Sequence, residues 1–325
     1  MQKHIPLLFG VSMSAIVATV YIVPSSSGGV LRAAELGVKP SDERIEVSID
    51  GKPFASYLFV GGKDGDRPVV WPIVGPTGKE STRSWPIGKA KPGEATDHPH
   101  HRSLWFAHGD VDGIDFWAEG ARCGKIVHRR LIKAEASDGT ATIETENDWM
   151  DANGKKICVD VRTLRFGAND DARWIDFDIA ITAGERAVTF RDTKEGAFAI
   201  RVPAAMSVNA KRGGKIVNSR GETDDDAWGK PAEWVDYHGP VEGETLGIAI
   251  FNHPSSFRFP THWHVRTYGL FAANPFGELA FTGKGDGAHK LAKGETVSLR
   301  YRVYFHRGDE KKGRVARAYE GYAGE

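Results

Sequence analysis

The twelve histidines of this 325-residue chain are concentrated in two distant segments. The first contributes four within eleven residues and the second three within twelve: His98, His100, His101 and His108, and His253, His262 and His264. Imidazole exchanges protons near neutral pH and is a common metal ligand. The two clusters therefore predict one site to which both segments contribute side chains.

The local pattern predicts how these imidazoles are presented. In an extended backbone alternate side chains share a face, so His98 and His100 point to one side and His101 to the other. The intervening proline favours a sheet edge or a loop, because it lacks the amide hydrogen of a central strand. His262 and His264 likewise share a face. We expect a cleft bordered by both segments.

Three interpretations of the imidazoles remain open. In the first, one or two histidines and a carboxylate exchange protons with a substrate. In the second, the His-x-His pairs and a carboxylate bind a divalent metal ion, and the candidate ligands are His98, His100, His262 and His264. In the third, they are hydrogen-bonded structural residues. Seven histidines in two short segments favour a functional site.

A carboxylate suited to proton transfer lies in Lys194-Glu195-Gly196, directly before a predicted strand. The end of a strand displays a side chain from a rigid element, so Glu195 is the candidate general base. An exposed surface glutamate is the ordinary alternative. The candidate catalytic residues are His100, His101, Glu195 and His264.

Further polar residues near these segments are candidates for substrate binding. Arg102 and Arg266 each follow a histidine cluster and present planar forks for substrate oxygens, although a salt bridge is an equally ordinary use of an arginine. Asp110 lies in a turn-like segment whose oxygen spacing does not match an EF-hand loop. The binding candidates are His98, Arg102, His108, Asp110, Tyr237, His253, His262 and Arg266.

Strand patterns dominate the chain. Apolar and polar residues alternate over 296–305 and 174–181, as in half-buried strands. Asp138-Gly139 and residues 167–171 predict hairpins, and shorter strands are expected at 45–49, 54–60, 69–73, 197–202, 215–218 and 246–251. The apolar residues of 315–322 share a helical face, with Asp309 as the expected N-cap. The predicted fold class is all-β, a large antiparallel β-sandwich with a short C-terminal helix.

The N-terminus predicts export to the periplasm or the cell exterior. Residues 1–34 combine a basic start, an apolar stretch from Ile5 to Val23 and a small-residue exit, as in a signal peptide or an N-terminal anchor. The sequence has no other long apolar run. We therefore expect residues 35–325 to form a single β-sandwich domain that is not embedded in a membrane.

The charge balance and the cysteine content argue against several classes of partner and cofactor. Lys plus Arg equals Asp plus Glu at 43 each, and no basic cluster is interleaved with aromatics, so no nucleic-acid partner is expected. No glycine-rich loop has the strand–loop–helix context of a nucleotide cofactor site. Cys123 and Cys158 are too few for a cysteine metal site, and their spacing leaves open whether they pair. We expect a small-molecule partner; the sequence leaves the oligomeric state open.

Three segments of the sequence resemble a known family. Residues 98–110, 194–198 and 262–277 are rich in His, Trp and Gly, and they look like the family labelled methane oxygenase PmoA. That label implies a metal-dependent oxygenase, in which the His98-x-His100 pair would be joined by His108 as a ligand.

A similarity at the level of the fold points to galactose-mutarotase-like supersandwiches, in which histidines and a glutamate act on sugars. By this analogy His100 or His101, together with His264, are acids and Glu195 is the base. The leading hypothesis is an exported carbohydrate-active enzyme, an epimerase, lyase or hydrolase of a sugar or modified glycoside, with or without a divalent metal. The alternatives are a non-catalytic carbohydrate-binding sandwich and the metal-dependent oxygenase.

Overall fold

The computed structural model describes Met1, residues 34–59 and residues 65–325. Antiparallel strands make up most of the described chain. They are β1 (Leu36–Pro40), β2 (Arg44–Ile49), β3 (Lys52–Leu58), β4 (Val69–Ile73), β5 (Leu104–His108), β6 (Lys125–Ser137), β7 (Thr140–Met150), β8 (Lys156–Ala168), β9 (Ala172–Ala183), β10 (Val188–Phe190), β11 (Gly196–Arg201), β12 (Lys215–Asn218), β13 (Trp234–Val241), β14 (Glu244–Asn252), β15 (His262–Val265), β16 (Leu270–Asn274), β17 (His289–Leu291) and β18 (Thr296–Arg307).

These strands form two eight-stranded sheets. The first has the order β1-β2-β3-β4-β5-β11-β16-β15, and the second has the order β12-β13-β14-β18-β9-β8-β7-β6. A small third sheet pairs β10 with β17. The two large sheets pack face to face through aromatic side chains: Phe198 of β11 stacks on Tyr301 of β18 with ring centroids 5.0 Å apart and lies 4.7 Å from Phe177 of β9. The predicted antiparallel β-sandwich is confirmed.

The turn chemistry read from the sequence explains the hairpins. Asp138 and Gly139 join β6 to β7 with φ of 49° and 73°, the left-handed pair that a two-residue hairpin requires. Residues 169–171 connect β8 to β9, where the Asn169 side chain accepts the backbone N–H groups of Asp171 and Ala172. These hairpins hold β6 to β9 in a continuous meander.

The helices are short. Three 3-10 turns span Ala204–Met206, Val208–Ala210 and Asp224–Ala227, and the α-helices are α1 (Glu278–Thr282) and α2 (Val315–Ala323). Helix α2 is the predicted C-terminal helix. Its buried residues Val315 and Tyr322 pack with Ala249 and Phe251 of β14 on the outer face of the second sheet.

The expected N-cap of the C-terminal helix is wrong. Arg314, with φ of 51°, precedes the first turn of α2 and makes no side-chain cap. Asp309 instead accepts the N–H of Lys312 at 2.8 Å, so it closes the turn that precedes the helix.

The described residues from Ala34 to Glu325 form one compact unit. The predicted signal peptide or anchor lies outside the described residues, except for Met1 and Ala34. Among the described residues no helix is long and apolar enough to span a membrane. Cys123 and Cys158 are both free thiols, and burial raises the pKa of the Cys158 thiol.

Candidate functional site

The outer face of the first sheet forms a floor of small residues between two large ones. Because Phe198 of β11 points into the core, its neighbour Ala199 points outward. Ala199 pairs with Trp105 on one side and with Ala272 on the other, and Ala272 pairs with His264. With strands about 4.8 Å apart, roughly 14 Å separates the Cα atoms of Trp105 and His264. Both alanines are fully buried, and Trp105 and His264 are 1 % and 3 % exposed, so this floor lies beneath the surface groups of the site.

Glu195 lies beside this floor on a segment held by its carbonyl groups. The carbonyls of Thr193, Lys194 and Glu195 accept, in turn, from the Asn274 amide at 2.9 Å, the His264 imidazole at 2.8 Å and the Gly109 backbone at 2.7 Å. The Glu195 carboxylate is one third exposed and pairs with the Lys194 ammonium. The backbone is therefore fixed while the carboxylate remains accessible.

The loop that carries the first histidine cluster is held in the same way. Arg83, 2 % exposed, donates to the carbonyls of His98 and His101, both at 2.9 Å. Arg67, 1 % exposed, donates to the carbonyl of His100 at 3.3 Å. Two buried guanidinium groups thus bind the backbone of this loop and leave its imidazoles to face other groups.

The charge of Glu195 acts on one histidine of each segment. Burial lowers the pKa of His264 to about 4 and that of His100 to about 4, and the Glu195 charge opposes both shifts. Glu195 therefore lies within electrostatic range of an imidazole from each segment. Both imidazoles are neutral at pH 7.

The hydrogen bonds of His264 define its tautomer. A carbonyl oxygen only accepts, so Nδ1 carries the proton that is donated to Lys194. The neutral ring therefore presents Nε2 as an acceptor. The sequence analogy predicted that His264 is an acid. Because its only N–H is already bonded to the Lys194 carbonyl, the neutral ring can instead accept a hydrogen bond or a proton at Nε2.

The aromatic rings of the first cluster form a stack. The centroids of Tyr268 and His98 are 5.5 Å apart, those of His98 and His101 are 4.8 Å apart, and those of His101 and Trp105 are 5.5 Å apart. The expectation that His98 shares a side with His100 and opposes His101 is wrong, because the segment is a turn in which the N–H of His101 bonds the carbonyl of His98 at 3.0 Å.

His101 lies inside this stack. It is 1 % exposed, and its Nδ1 accepts from Arg201 at 3.3 Å. Burial lowers the pKa of His101 well below its usual range. His101 is thus a neutral packing residue behind the more accessible His98 and His100, so we do not retain it as a catalytic candidate.

A cleft of about 250 Å³ adjoins the stack. Its charged lining includes Asp97, Arg83 and Arg201. Asp97 accepts from His98 Nδ1 at 3.0 Å, and Arg201 lies 3.5 Å from Asp97. Burial raises the pKa of Asp97. The charges and hydrogen bonds of Arg201, His98 and Arg83 outweigh this effect and bring the pKa below its usual value. The cleft offers fixed donors and one carboxylate.

Residues of the second histidine segment line the opposite rim. His262 shares the outer face with His264 as predicted, and its ring stacks on Phe281 at 5.9 Å. Arg266 lies 5.8 Å from the ring centroids of both Trp228 and Tyr268. A cationic and aromatic rim therefore borders the alanine floor.

Three predicted binding residues are buried or lie on the other sheet. His108 is fully buried in the core, where Nε2 donates to the Arg191 carbonyl at 2.8 Å. Tyr237 of β13 is also buried, and its hydroxyl donates to the Thr267 carbonyl at 3.0 Å. His253 follows β14 of the second sheet and bonds Ser255 at 2.8 Å. We do not retain these three as ligand contacts.

Two further candidates serve local structure. Arg102 is 6 % exposed and makes a bidentate pair with Glu119, at 2.7 and 2.9 Å. Asp110 accepts the N–H of Gly113 at 2.8 Å and so closes the predicted turn. Both side chains are engaged within the chain, so neither is retained as a ligand contact.

The four candidate metal ligands do not form a three-ligand group in the described part of the chain. Donor atoms from three residues lie within 4.8 Å of one another at Asp236, His238 and Glu310, which belong to the second sheet and the turn after it.

Several residues of this site were not among the sequence candidates. Asp97 directly precedes the first histidine, and Tyr268 lies two positions after Arg266, so proximity in sequence was a usable signal. Nothing in the sequence marks the two clamping arginines, whose contacts depend on tertiary structure. The residues that were missed are Arg67, Arg83, Asp97, Arg201, Trp228 and Tyr268.

Another cavity lies apart from the histidines. It has a volume of about 570 Å³ and is lined by residues of β1, β2 and β3 together with Trp71 and Pro72. It contains no histidine and three charged residues, Lys39, Arg44 and Glu46. This cavity is therefore larger than the cleft beside Asp97, but it does not lie at the histidine clusters.

Fold and site together define an antiparallel β-sandwich with imidazoles and a carboxylate on the outer face of one sheet. The chain belongs to a family of unknown function, DUF6807, whose model matches residues 44–320. The expected membership of the methane oxygenase PmoA family is wrong, because this is the family that matches. A search of the curated proteins finds no match.

Solved structures similar to this chain include sugar-processing proteins. A GH36 α-galactosidase from Geobacillus stearothermophilus is 10 % identical with a TM-score of 0.44, and the alignment covers 86 % of this chain but 42 % of that one. A galactose mutarotase-like protein from Clostridium acetobutylicum is 11 % identical over 84 % and 99 % of the two chains, with a TM-score of 0.42. A galactose 1-epimerase from Lactobacillus acidophilus is 9 % identical over 85 % and 99 %, with a TM-score of 0.41. This chain thus spans less than half of the α-galactosidase.

Proposed function

We propose that the protein is an exported carbohydrate-active enzyme, an epimerase, lyase or hydrolase of a sugar or modified glycoside, with its site at Glu195, His100 and His264. The observation that carries this proposal is the position of one accessible carboxylate beside two imidazoles that burial keeps neutral. A carboxylate base and neutral imidazoles are the groups that proton transfer to and from a sugar requires.

The roles follow from the bonding of each group. Glu195 is the base that takes a proton from a sugar hydroxyl or carbon. His264 accepts a hydrogen bond from a sugar hydroxyl at Nε2, since its Nδ1 is occupied. Within the described chain His100 has no hydrogen-bond partner for its ring, so it is available to donate or accept.

The surroundings suit a sugar. A pyranose has apolar faces and polar edges, which match aromatic rings and planar donors respectively. Trp228 and Tyr268 supply rings at the rim, and Arg266 lies between them. The indole N–H of Trp228 has no partner among the described residues and is a further donor for a hydroxyl.

The test is turnover of a panel of glycosides and free sugars, including oxidised ones, by the full chain and by Glu195→Gln. Because a positioned base contributes about 10²- to 10⁴-fold, we expect Glu195→Gln to lower kcat by at least about 100-fold while sugar binding persists. Glu46→Gln, which removes a carboxylate from β2 of the same sheet, is the matched control and should leave turnover unchanged.

The alternative is a non-catalytic carbohydrate-binding module, which the aromatic and arginine-rich rim favours. Sugar binding without turnover, equal in wild type and Glu195→Gln, would establish this alternative and exclude the enzyme. His264→Asn refines the test, because an asparagine amide can still donate to the Lys194 carbonyl but offers no Nε2 acceptor.

A further inference from the structure

A second cluster of ionisable side chains lies on the outer face of the second sheet. Asp236 and His238 alternate along β13 with their side chains on that face, and Glu310 reaches them from the turn after β18. Asp236 is fully buried and His238 is 8 % exposed. The sequence analysis did not single out this cluster, and the proposed sugar site does not use it.

The donor atoms are close together. His238 Nδ1 lies 2.6 Å from Asp236 Oδ1 and 3.7 Å from Glu310 Oε2, and one donor atom from each residue lies within 4.8 Å of the other two. Ligands about 2.0–2.1 Å from a tetrahedral ion are about 3.3–3.5 Å apart. The imidazole-to-glutamate spacing nearly fits, and the shorter hydrogen-bonded pair must open by less than about 1 Å.

A neighbouring imidazole orients the aspartate. His306 of β18 is 1 % exposed, and its Nε2 lies 2.7 Å from Asp236 Oδ2. Asp236 thus keeps Oδ1 directed at His238 while Oδ2 is held by a second histidine. Carboxylates that bind metal ions are commonly oriented by hydrogen bonds of this kind.

The charge of the cluster favours a cation. Two carboxylates and two imidazoles lie together in a largely buried place, and a buried negative charge is costly unless it is compensated. A divalent ion bound by the neutral imidazole of His238 and the two carboxylates would compensate this charge.

We propose that Asp236, His238 and Glu310 bind one divalent first-row transition-metal ion, with zinc as the best representative. One nitrogen and two carboxylate oxygens are ordinary zinc ligands, and water can complete a tetrahedral shell. Magnesium and calcium fit less well, because they prefer oxygen ligands throughout. A cavity of about 310 Å³ is lined in part by His306, the imidazole that holds Asp236.

The site would tie β13 to the turn that leads into α2. Glu310 belongs to that turn, and α2 covers part of the second sheet through Val315 and Tyr322. A metal bound only by the folded chain stabilises it, and the stabilisation grows with the logarithm of the ratio of metal concentration to Kd. The proposed role is therefore structural, and it is independent of the sugar site.

The experiment is a calorimetric titration of zinc into the full chain after removal of metal with a chelator. We expect about one zinc ion per wild-type chain and a rise in Tm on binding. Glu310→Gln and His238→Gln should each weaken binding at least tenfold, because each removes a ligand. His253→Gln is the matched control, since His253 follows β14 of the same sheet but bonds Ser255, and it should bind zinc as wild type does.

Two results would overturn the proposal. One is the lack of saturable zinc binding to the wild-type chain. The other is binding that is equal in wild type, Glu310→Gln and His238→Gln, which would place the ion elsewhere. Glu310→Gln keeps the test decisive if His238→Gln fails to fold, because the Glu310 side chain is 18 % exposed and lies in a turn.

Discussion

Histidines in this protein take their roles from depth and bonding rather than from their spacing in sequence. His264 is buried at a surface site with Nε2 available, whereas His108 lies in the core with Nε2 bonded to the Arg191 carbonyl. Burial lowers the pKa of each to about 4. Two imidazoles lowered to the same pKa thus lie in different surroundings: His264 keeps Nε2 unbonded among the described residues, whereas His108 packs against phenylalanine rings.

The burial of His108 predicts how the free energy of unfolding depends on pH. Its pKa is about 4 in the folded chain and close to 6.5 when unfolded, so between these values the unfolded chain binds more protons. Its contribution to the free energy of unfolding is complete above about pH 6.5 and falls by about 3 kcal/mol as the pH drops to about 4. Gln at this position can still donate to the Arg191 carbonyl but does not titrate.

Urea unfolding of wild type and His108→Gln between pH 4 and 7 measures this effect. We expect the acid-side loss of stability to be smaller in the variant by about 3 kcal/mol at most. Parallel curves for the two proteins would contradict the neutral, buried state of His108.

At this scale the sequence predicted which residue types matter and not where each one lies. The Glu195 charge acts on His100 and on His264, one imidazole from each predicted cluster, and a shared site stays a prediction. The sequence could not distinguish His108 and Tyr237 from these three site residues, because a strand pattern does not reveal which face meets the core or which sheet a strand joins.

The elements that carry the site are loops fixed by their backbone carbonyls. The loop at 98–101 is held by Arg83 and Arg67, and the segment at 193–195 is held by Asn274, His264 and Gly109. Buried carbonyl groups need donors, and guanidinium groups supply several at fixed angles. This arrangement frees the side chains of both segments for a ligand.

Arg83→Met tests this arrangement. The change removes the Arg83 donor from the carbonyls of Asp97, His98 and His101, of which His98 keeps the N–H of His101. We expect a loss of about 3–5 kcal/mol in the free energy of unfolding, measured by urea denaturation.

Arg129→Ala is the matched control for the loss of an arginine. Its side chain is half exposed and pairs with Glu146, so its removal should cost less than about 1 kcal/mol. An equal, small loss in both variants would show that the loop does not depend on Arg83.

The strands were largely predictable and the loops were not. Period-two alternation and the Asp138-Gly139 turn identified β6 to β9 and β18, because local patterns specify half-buried strands and tight hairpins. The turn at 98–101 departs from an extended segment because it is stabilised by side chains distant in sequence, which no local pattern encodes.

At the scale of the whole molecule, the two sheets bury a shared core and use their outer faces differently. The first sheet carries Glu195 at the start of β11 with its carboxylate one third exposed, and the second is covered by α2 near the proposed zinc ligands. A sandwich allows this division, since each strand presents alternate residues to the core and to the outside.

The most direct test of the sugar site is the crystal structure of the full chain soaked with a sugar that it binds or turns over. We predict density beside the 193–195 segment, with sugar oxygens within hydrogen-bond distance of the Glu195 carboxylate and His264 Nε2. A sugar bound only in the cavity over β1 to β3, with none beside Glu195, would contradict the proposed site.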